Sequence, residues 1–256
     1  FARQGVFTPD MINPYISDED KAKLRELLKT VRNEGLNTPP SLQGTISLPG
    51  HNGGANWGSS AVDPLKHMYF VVSKQMPVDD KLFLEKDPAK LAKAEADMPN
   101  GGGDVKPYKS NVDFMLQSNG LPAINPPWSL ITGYDMNTGK KLWSLPDGEV
   151  MMLAQKGIHD TGSTAPRGGP VATGGGLVFV GTSSDRKVRA RDEKTGKVLW
   201  EQQLDAASEG VPAVYEAGGK EYVVFAVGGD GLFPPKLGQP KPGPNRYVAF
   251  ALPSGK

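Results

Sequence analysis

An internal repeat constrains the fold more than any other feature of the sequence. Residues 134–143 (YDMNTGKKLW) align with residues 191–200 (RDEKTGKVLW), so that Thr138 and Thr195 stand 57 residues apart. Residues 250–256 (FALPSGK) begin a third copy that stops before Leu-Trp. Each copy predicts a β-hairpin with a Thr-Gly turn. One hairpin cannot bury its apolar face in water, so this period predicts stacked propeller blades.

The tryptophans of the repeat, Trp143 and Trp200, are predicted to pack between neighbouring blades rather than to contact a cofactor. Further runs with strand composition surround the repeat, and they bring the total to about three to four blades. These predicted strands cover residues 68–73, 177–181, 188–191, 222–227 and 247–252. The expected fold class is therefore all-β, with a partial set of propeller blades and one or two inserted helices.

Two segments interrupt the β pattern. Residues 17–32 carry leucines at helical spacing behind a Ser17 cap, and residues 88–98 follow Asp87 with Pro88 at the first helical position. We therefore expect a helical insertion at residues 17–34. Residues 78–127 are rich in glycine, proline and asparagine in their second half, and they are predicted as a long loop insertion.

Composition excludes several functional classes. The 29 Lys and Arg balance the 28 Asp and Glu, so a nucleic-acid partner is not expected. The absence of cysteine excludes disulfides, thiol nucleophiles and zinc-thiolate sites, and the three histidines lack metal-ligand spacing. No apolar run reaches the length of a membrane span. The chain opens on Phe1 without a targeting pattern, which predicts that it starts within a longer protein.

Four blocks of the sequence resemble the pyrroloquinoline-quinone (PQQ) dependent, eight-bladed propeller dehydrogenases, especially the membrane-bound glucose dehydrogenase branch. The resemblance covers most of the chain, and as a set these motifs are specific. The blocks are residues 38–64 (with TPPSLQGT, LPG, NWG and DP), 126–143, 168–229 (with GGP, GKEYVV and GG) and 247–253 (YVAFALP). The resemblance implies the carboxy-terminal part of a quinoprotein propeller over residues 1–256.

The same resemblance implies where the cofactor binds. Asn56, followed by Trp57, is similar to the asparagine that hydrogen-bonds PQQ in alcohol-oxidising relatives, although an asparagine here could instead fix a turn. Arg167, before Gly168, replaces a tryptophan of those relatives and either pairs with a PQQ carboxylate or lies in solvent. Gly229 and Asp230 belong to a glycine turn that borders the pocket in relatives, or that forms a turn only.

The remaining machinery of the family is expected outside this chain. Calcium ligands and the catalytic Asp belong to other blades in relatives, so no catalytic or metal residue is assigned, and Asp63, Asp135 and Asp192 are predicted to be turn caps. The resemblance implies a periplasmic enzyme that oxidises a sugar or another alcohol, passes electrons to a quinone or cytochrome, and needs its remaining blades to be active. A cofactor-free propeller that serves as a protein-binding scaffold is the alternative.

Overall fold

The structure is a computed structural model that describes residues 4–55, 58, 60–97, 107–229 and 238–252, and antiparallel sheet dominates it. In this part of the chain the strands are β1 (Ile46–Ser47), β2 (Ser60–Asp63), β3 (Met68–Lys74), β4 (Val78–Leu84), β5 (Tyr108–Phe114), β6 (Ser129–Asp135), β7 (Lys141–Pro146), β8 (Val171–Ala172), β9 (Leu177–Gly181), β10 (Lys187–Asp192), β11 (Val198–Gln203), β12 (Ala213–Ala217), β13 (Lys220–Val227) and β14 (Arg246–Ala251). The α-helices of the same part are α1 (Asp18–Thr30), α2 (Pro88–Ala96) and α3 (Met151–Ala154), and a short 3-10 helix spans Pro9–Met11.

Three of the sheets form a series of blades. Two have four strands, in the orders β2-β3-β6-β7 and β8-β9-β10-β11, and the third has the order β12-β13-β14. In each blade the strands follow one another across the sheet in chain order. The first strands β2 and β8 of successive blades lie against each other. This arrangement confirms the prediction of a partial propeller, and each predicted strand lies within or overlaps an observed one.

The two copies of the repeat form the same hairpin in successive blades. Trp143 pairs with Gly133 and Trp200 pairs with Ala190, and in both hairpins the register shifts by one residue immediately after this pair. The turns are also alike, because Asp135 accepts the backbone N–H of Asn137 and Asp192 accepts that of Thr195, both at 2.8 Å. Asp63 accepts two backbone N–H groups in its own turn. All three aspartates are therefore turn caps, as predicted.

Trp143 packs the first blade against the second. Its ring lies 5.9 Å from the ring of Phe70 in its own blade, and its Nε1–H donates to the carbonyl of Glu193 at 2.8 Å. Gly196, with φ +72, lets the next blade's turn approach, since a β-carbon there would lie 2.6 Å from the indole. The predicted packing role of Trp143 is confirmed. Trp200 contacts Phe250 of β14 at 5.0 Å but remains 36% exposed.

The helices begin where the sequence predicts. The Ser17 hydroxyl accepts the N–H of Asp20 at the start of α1, and the Asp87 carboxylate accepts that of Ala89 at the start of α2. The apolar face of α1 carries Leu24 into a core that also holds Phe7 and Trp128. This core joins the amino-terminal part of the chain to the first blade.

The prediction of a long loop insertion at residues 78–127 is wrong in its detail. Strands β4 and β5 pair along their whole length, from Val78 opposite Phe114 to Leu84 opposite Tyr108, with α2 between them in the chain. Strand β1 adds to β4 and completes a three-stranded sheet outside the series of blades. Long-range backbone pairing therefore gives this segment a regular structure that its polar composition conceals.

Candidate functional site

The predicted cofactor residues that the structure describes, Arg167, Gly168 and Gly229, fall in loops at one end of the blades. In an antiparallel blade, the residues before the first strand and those after the second strand lie at the same end of the sheet. We call this end the loop rim, and its described residues include 54–55 and 58 before β2, Lys74 at the end of β3, residues 161–170 before β8, residues 205–212 before β12, and residues 228–229 after β13. The rim therefore brings together loops from all three blades.

The loops of the rim touch one another through their backbones. A β-carbon on Gly58 would lie 3.0 Å from the carbonyl oxygen of Arg167, and one on Gly168 would lie 3.1 Å from the carbonyl of Glu209. Ala207 then exchanges two backbone hydrogen bonds with the glycine turn, accepting from Gly228 at 2.8 Å and donating to Gly229 at 3.1 Å. This series of contacts places Arg167, Gly168 and Gly229 on one continuous backbone surface.

Arg167 projects an exposed side chain at this rim. Within the described residues its guanidinium forms neither a hydrogen bond nor an ion pair, so it is available to a ligand. Asn56, Trp57 and Asp230 lie outside the described residues, and their roles stay predictions. Gly58, the nearest described residue to Asn56 and Trp57 on the β2 side, contacts Arg167.

Sequence reasoning missed one residue of the rim. Lys74 ends β3, is only 4% exposed, and donates its backbone N–H to the carbonyl of Gly54 at 2.7 Å. Burial lowers the pKa of its ammonium, and the charge of Arg167 lowers that pKa further. The only sequence signal was its place at the end of the apolar run of β3, directly before Gln75, and that position alone could not reveal that the side chain is enclosed.

A second buried polar group, Asp147, lies between the first two blades. Its backbone is anchored to Ser129 and Ser163, while neither carboxylate oxygen has a hydrogen-bond partner among the described residues. Burial raises the pKa of Asp147 to about 6, although the charges of Arg191 and Arg189 act against that rise. Nothing in the sequence distinguished this aspartate from those of the turns.

A cavity of about 400 Å³ also lies between these blades, and it is separate from the loop rim. Its walls come mainly from β7, β10, β11 and the segment before β8, and they include none of the predicted site residues. Its charged side chains pair with each other, since Lys187 and Arg189 bind Glu201 at 2.8 and 3.3 Å. No group of three or more metal-ligating carboxylates or histidines occurs within the described ranges.

The close approach at Gly168 leads to a first prediction. Gly168→Ala should lower the free energy of unfolding by about 1–3 kcal/mol, because the new methyl group meets backbone atoms of Glu209 and Gly210 that cannot rotate away. Urea unfolding of the chain measures this loss. Gly174→Ala is the matched control, since no atom lies within 4 Å of its β-carbon position, and it should change stability by less than about 0.5 kcal/mol. Equal losses in the two variants would contradict the proposed contact.

Comparison with known proteins shows which family the chain resembles. The family model described as "Glucose/ethanol/alcohol dehydrogenase, beta-propeller domain", with PQQ as its short name, matches residues 1–223. The glycerol dehydrogenase large subunit of Gluconobacter thailandicus is 36% identical over 235 residues, covering 84% of this chain and 31% of that protein. The quinoprotein glucose dehydrogenase of Gluconobacter oxydans is 32% identical over 254 residues, covering 89% of this chain and 30% of that protein.

Two further comparisons bear on substrate and fold. The quinate/shikimate dehydrogenase (quinone) of Acinetobacter baylyi is 35% identical over 231 residues, covering 82% of this chain and 27% of that protein. The solved structure of quinohemoprotein alcohol dehydrogenase from Comamonas testosteroni matches with a TM-score of 0.55 at 22% identity, covering 81% of this chain and 27% of that one, and it supports the fold. The chain thus spans about a third or less of the length of these curated relatives.

Proposed function

Because the chain belongs to the β-propeller family of PQQ-dependent glucose, ethanol and alcohol dehydrogenases, we propose that it forms one wall of a PQQ site in such an enzyme. The observation that carries the proposal is the loop rim, where loops from three successive blades meet and Arg167 presents a guanidinium that has no partner among the described residues. PQQ bears three carboxylates, so such a guanidinium on a surface formed largely by backbone and glycine suits it.

Each of the predicted cofactor residues has a role in this proposal. Arg167 would bind a carboxylate of PQQ. Gly168 would let its loop approach the backbone of Glu209, and Gly229, whose β-carbon position is open, would keep a side chain out of the space that the cofactor fills. Asn56 would donate a hydrogen bond from its amide to the cofactor, and Trp57 and Asp230 would border the pocket. When bound, PQQ supplies the redox chemistry by accepting a hydride equivalent from a substrate hydroxyl.

We assign the rest of the enzyme's chemistry to the remaining blades. These blades would supply the catalytic base and most ligands of a calcium ion. The substrate would be a glucose-like sugar or another alcohol, and the electrons would pass to a quinone or a cytochrome in the periplasm. Glycerol, glucose and quinate appear in the names of relatives, which supports this substrate class. Among the described helices, none has the length and apolar character to cross a membrane.

Titration of the complete protein with PQQ tests the proposed site. Asn56→Ala and Arg167→Ala should each weaken PQQ binding by about 1–3 kcal/mol, because each removes a hydrogen bond or charge-assisted pair to the cofactor. The dissociation constant is measured by calorimetry with calcium present. Arg25→Ala, on the exposed face of α1, is the matched control and should bind PQQ as the unsubstituted protein does.

The chain by itself should bind PQQ weakly or not at all. It would form only one wall of the site, whereas small-molecule sites bury most of their ligand's surface. Submicromolar PQQ binding together with dye-linked sugar oxidation by the isolated chain would contradict the assignment of the catalytic half to other blades.

A further inference from the structure

Lys74 is a buried cation at the loop rim to which the proposed function gives no role. It follows Phe70 and Val72 on the same face of β3, and those two side chains belong to the core between the first and second blades. Because side chains alternate along a strand, Lys74 continues this row toward the space between the blades. It stands at the last position of the strand, where that core ends and the loop rim begins.

Lys74 and Arg167 each contact a described glycine that stands close to Asn56 in the sequence, Gly54 and Gly58 respectively. The backbone N–H of Lys74 holds the carbonyl of Gly54 at 2.7 Å, before Asn56 in the chain. Gly58, just after it, lies against the carbonyl of Arg167. Gly54 is therefore held by the strand of Lys74, and Gly58 lies against the loop of Arg167.

In the part of the chain that the structure describes, nothing compensates the charge of Lys74. Among the described residues, no carboxylate or other acceptor pairs with its ammonium, and the charge of nearby Arg167 has the same sign. Enclosing an ammonium without a partner is costly, and a second cation beside it increases that cost. An anion bound between the two side chains would remove both penalties, and none of the contacts described for Lys74 within the fold does so.

We propose that Lys74 and Arg167 together form a subsite that binds a carboxylate group at the loop rim. The ammonium would donate from the enclosed side and the guanidinium from the exposed side. This inference rests on the proposed function and adds to it the group that is recognised. Two sources of the carboxylate are compatible with that function: PQQ itself, or a hydroxycarboxylic acid substrate of the kind named for the quinate relative.

The test uses the complete protein, with Lys74→Met as the variant. Methionine keeps the length of the side chain and suits a buried position, so the urea midpoint should stay the same or rise. Titration with PQQ gives the first dissociation constant. Titration of the PQQ-loaded protein with quinate, and with glycerol as a neutral comparison, gives the others. Lys140→Met, in the exposed turn at the other end of the same blade, is the matched control.

If the subsite binds the cofactor, Lys74→Met should raise the PQQ dissociation constant about tenfold or more, and Lys140→Met should not. If it binds the substrate, PQQ binding stays constant, and the dissociation constant rises about tenfold for quinate but not for glycerol. Unchanged binding of both PQQ and quinate in Lys74→Met would overturn the subsite alone. Failure of the unsubstituted protein to bind PQQ would overturn the proposed function and the subsite with it.

Discussion

Trp143→Ala is expected to lower the free energy of unfolding by about 3–5 kcal/mol, which is among the largest effects available in this chain. The substitution removes a side chain that is 91% enclosed and leaves a cavity between Phe70 and the turn of the next blade. The cavity cannot collapse easily, because Gly133 and Gly196 have no side chains with which to fill it. The donor to the Glu193 carbonyl is lost as well.

Urea unfolding followed by near-ultraviolet circular dichroism measures this loss. Leu142→Ala is the control. The Leu142 side chain lies next to Trp143 in the same strand, is 48% exposed, and should contribute less than about 1 kcal/mol. Trp143→Phe should lie between the two, because it retains a ring in the cavity but no N–H donor. A loss for Trp143→Ala no greater than that for Leu142→Ala would show that the indole does not join the blades.

Asp147→Asn should have the second large effect. At neutral pH it should raise the free energy of unfolding, whereas Trp143→Ala lowers it. Folding raises the pKa of Asp147 from its ordinary 3.8 to about 6, so the native state binds this proton more tightly than the unfolded state. Stability therefore falls as pH rises from about 4 to 6 and stays low above that range. Since asparagine resembles the protonated acid, the variant should be more stable by about 2–3 kcal/mol at pH 8 and nearly equal at pH 4.

Unfolding free energies of both proteins between pH 4 and pH 8 measure this difference. Asp135→Asn is the control with opposite sign, because the hydrogen bond from Thr138 holds the pKa of the Asp135 carboxyl below its ordinary value. That variant should lose stability at pH 8. A difference between the wild type and Asp147→Asn that does not change with pH would indicate that Asp147 is neutral or paired throughout this range.

Local patterns predicted the blades well and the insertion poorly. Strand β9 is a continuous apolar run, and the two repeat hairpins close at turns that contain Asp and Thr-Gly, so each is specified within about ten residues of sequence. Strands β4 and β5 contain Asp, Lys, Ser and Asn, and they pair across a helix, with Val78 opposite Phe114. Their stability depends on partners that are distant in the sequence, which local propensity cannot detect.

The candidate site divides in the same way. Motif resemblance predicted Arg167, Gly168 and Gly229 as cofactor residues, and the structure brings their loops together at one rim. Sequence analysis did not single out Lys74 and Asp147, because burial of a charged side chain depends on the surrounding loops and on the neighbouring blade. A lysine that ends a strand and an aspartate that directly follows one are ordinary in sequence, and their enclosure is the largest cause of the shifts in their pKa values.

The contact of Trp143 with the next blade also sets an order of events during synthesis. The glycine turn and the Glu193 carbonyl that receive the indole lie about 50 residues further along the chain. While the ribosome is still making that stretch, the finished strands β2, β3, β6 and β7 have no site in which to enclose Trp143. The first blade would therefore enclose its indole only after about one further blade has been translated.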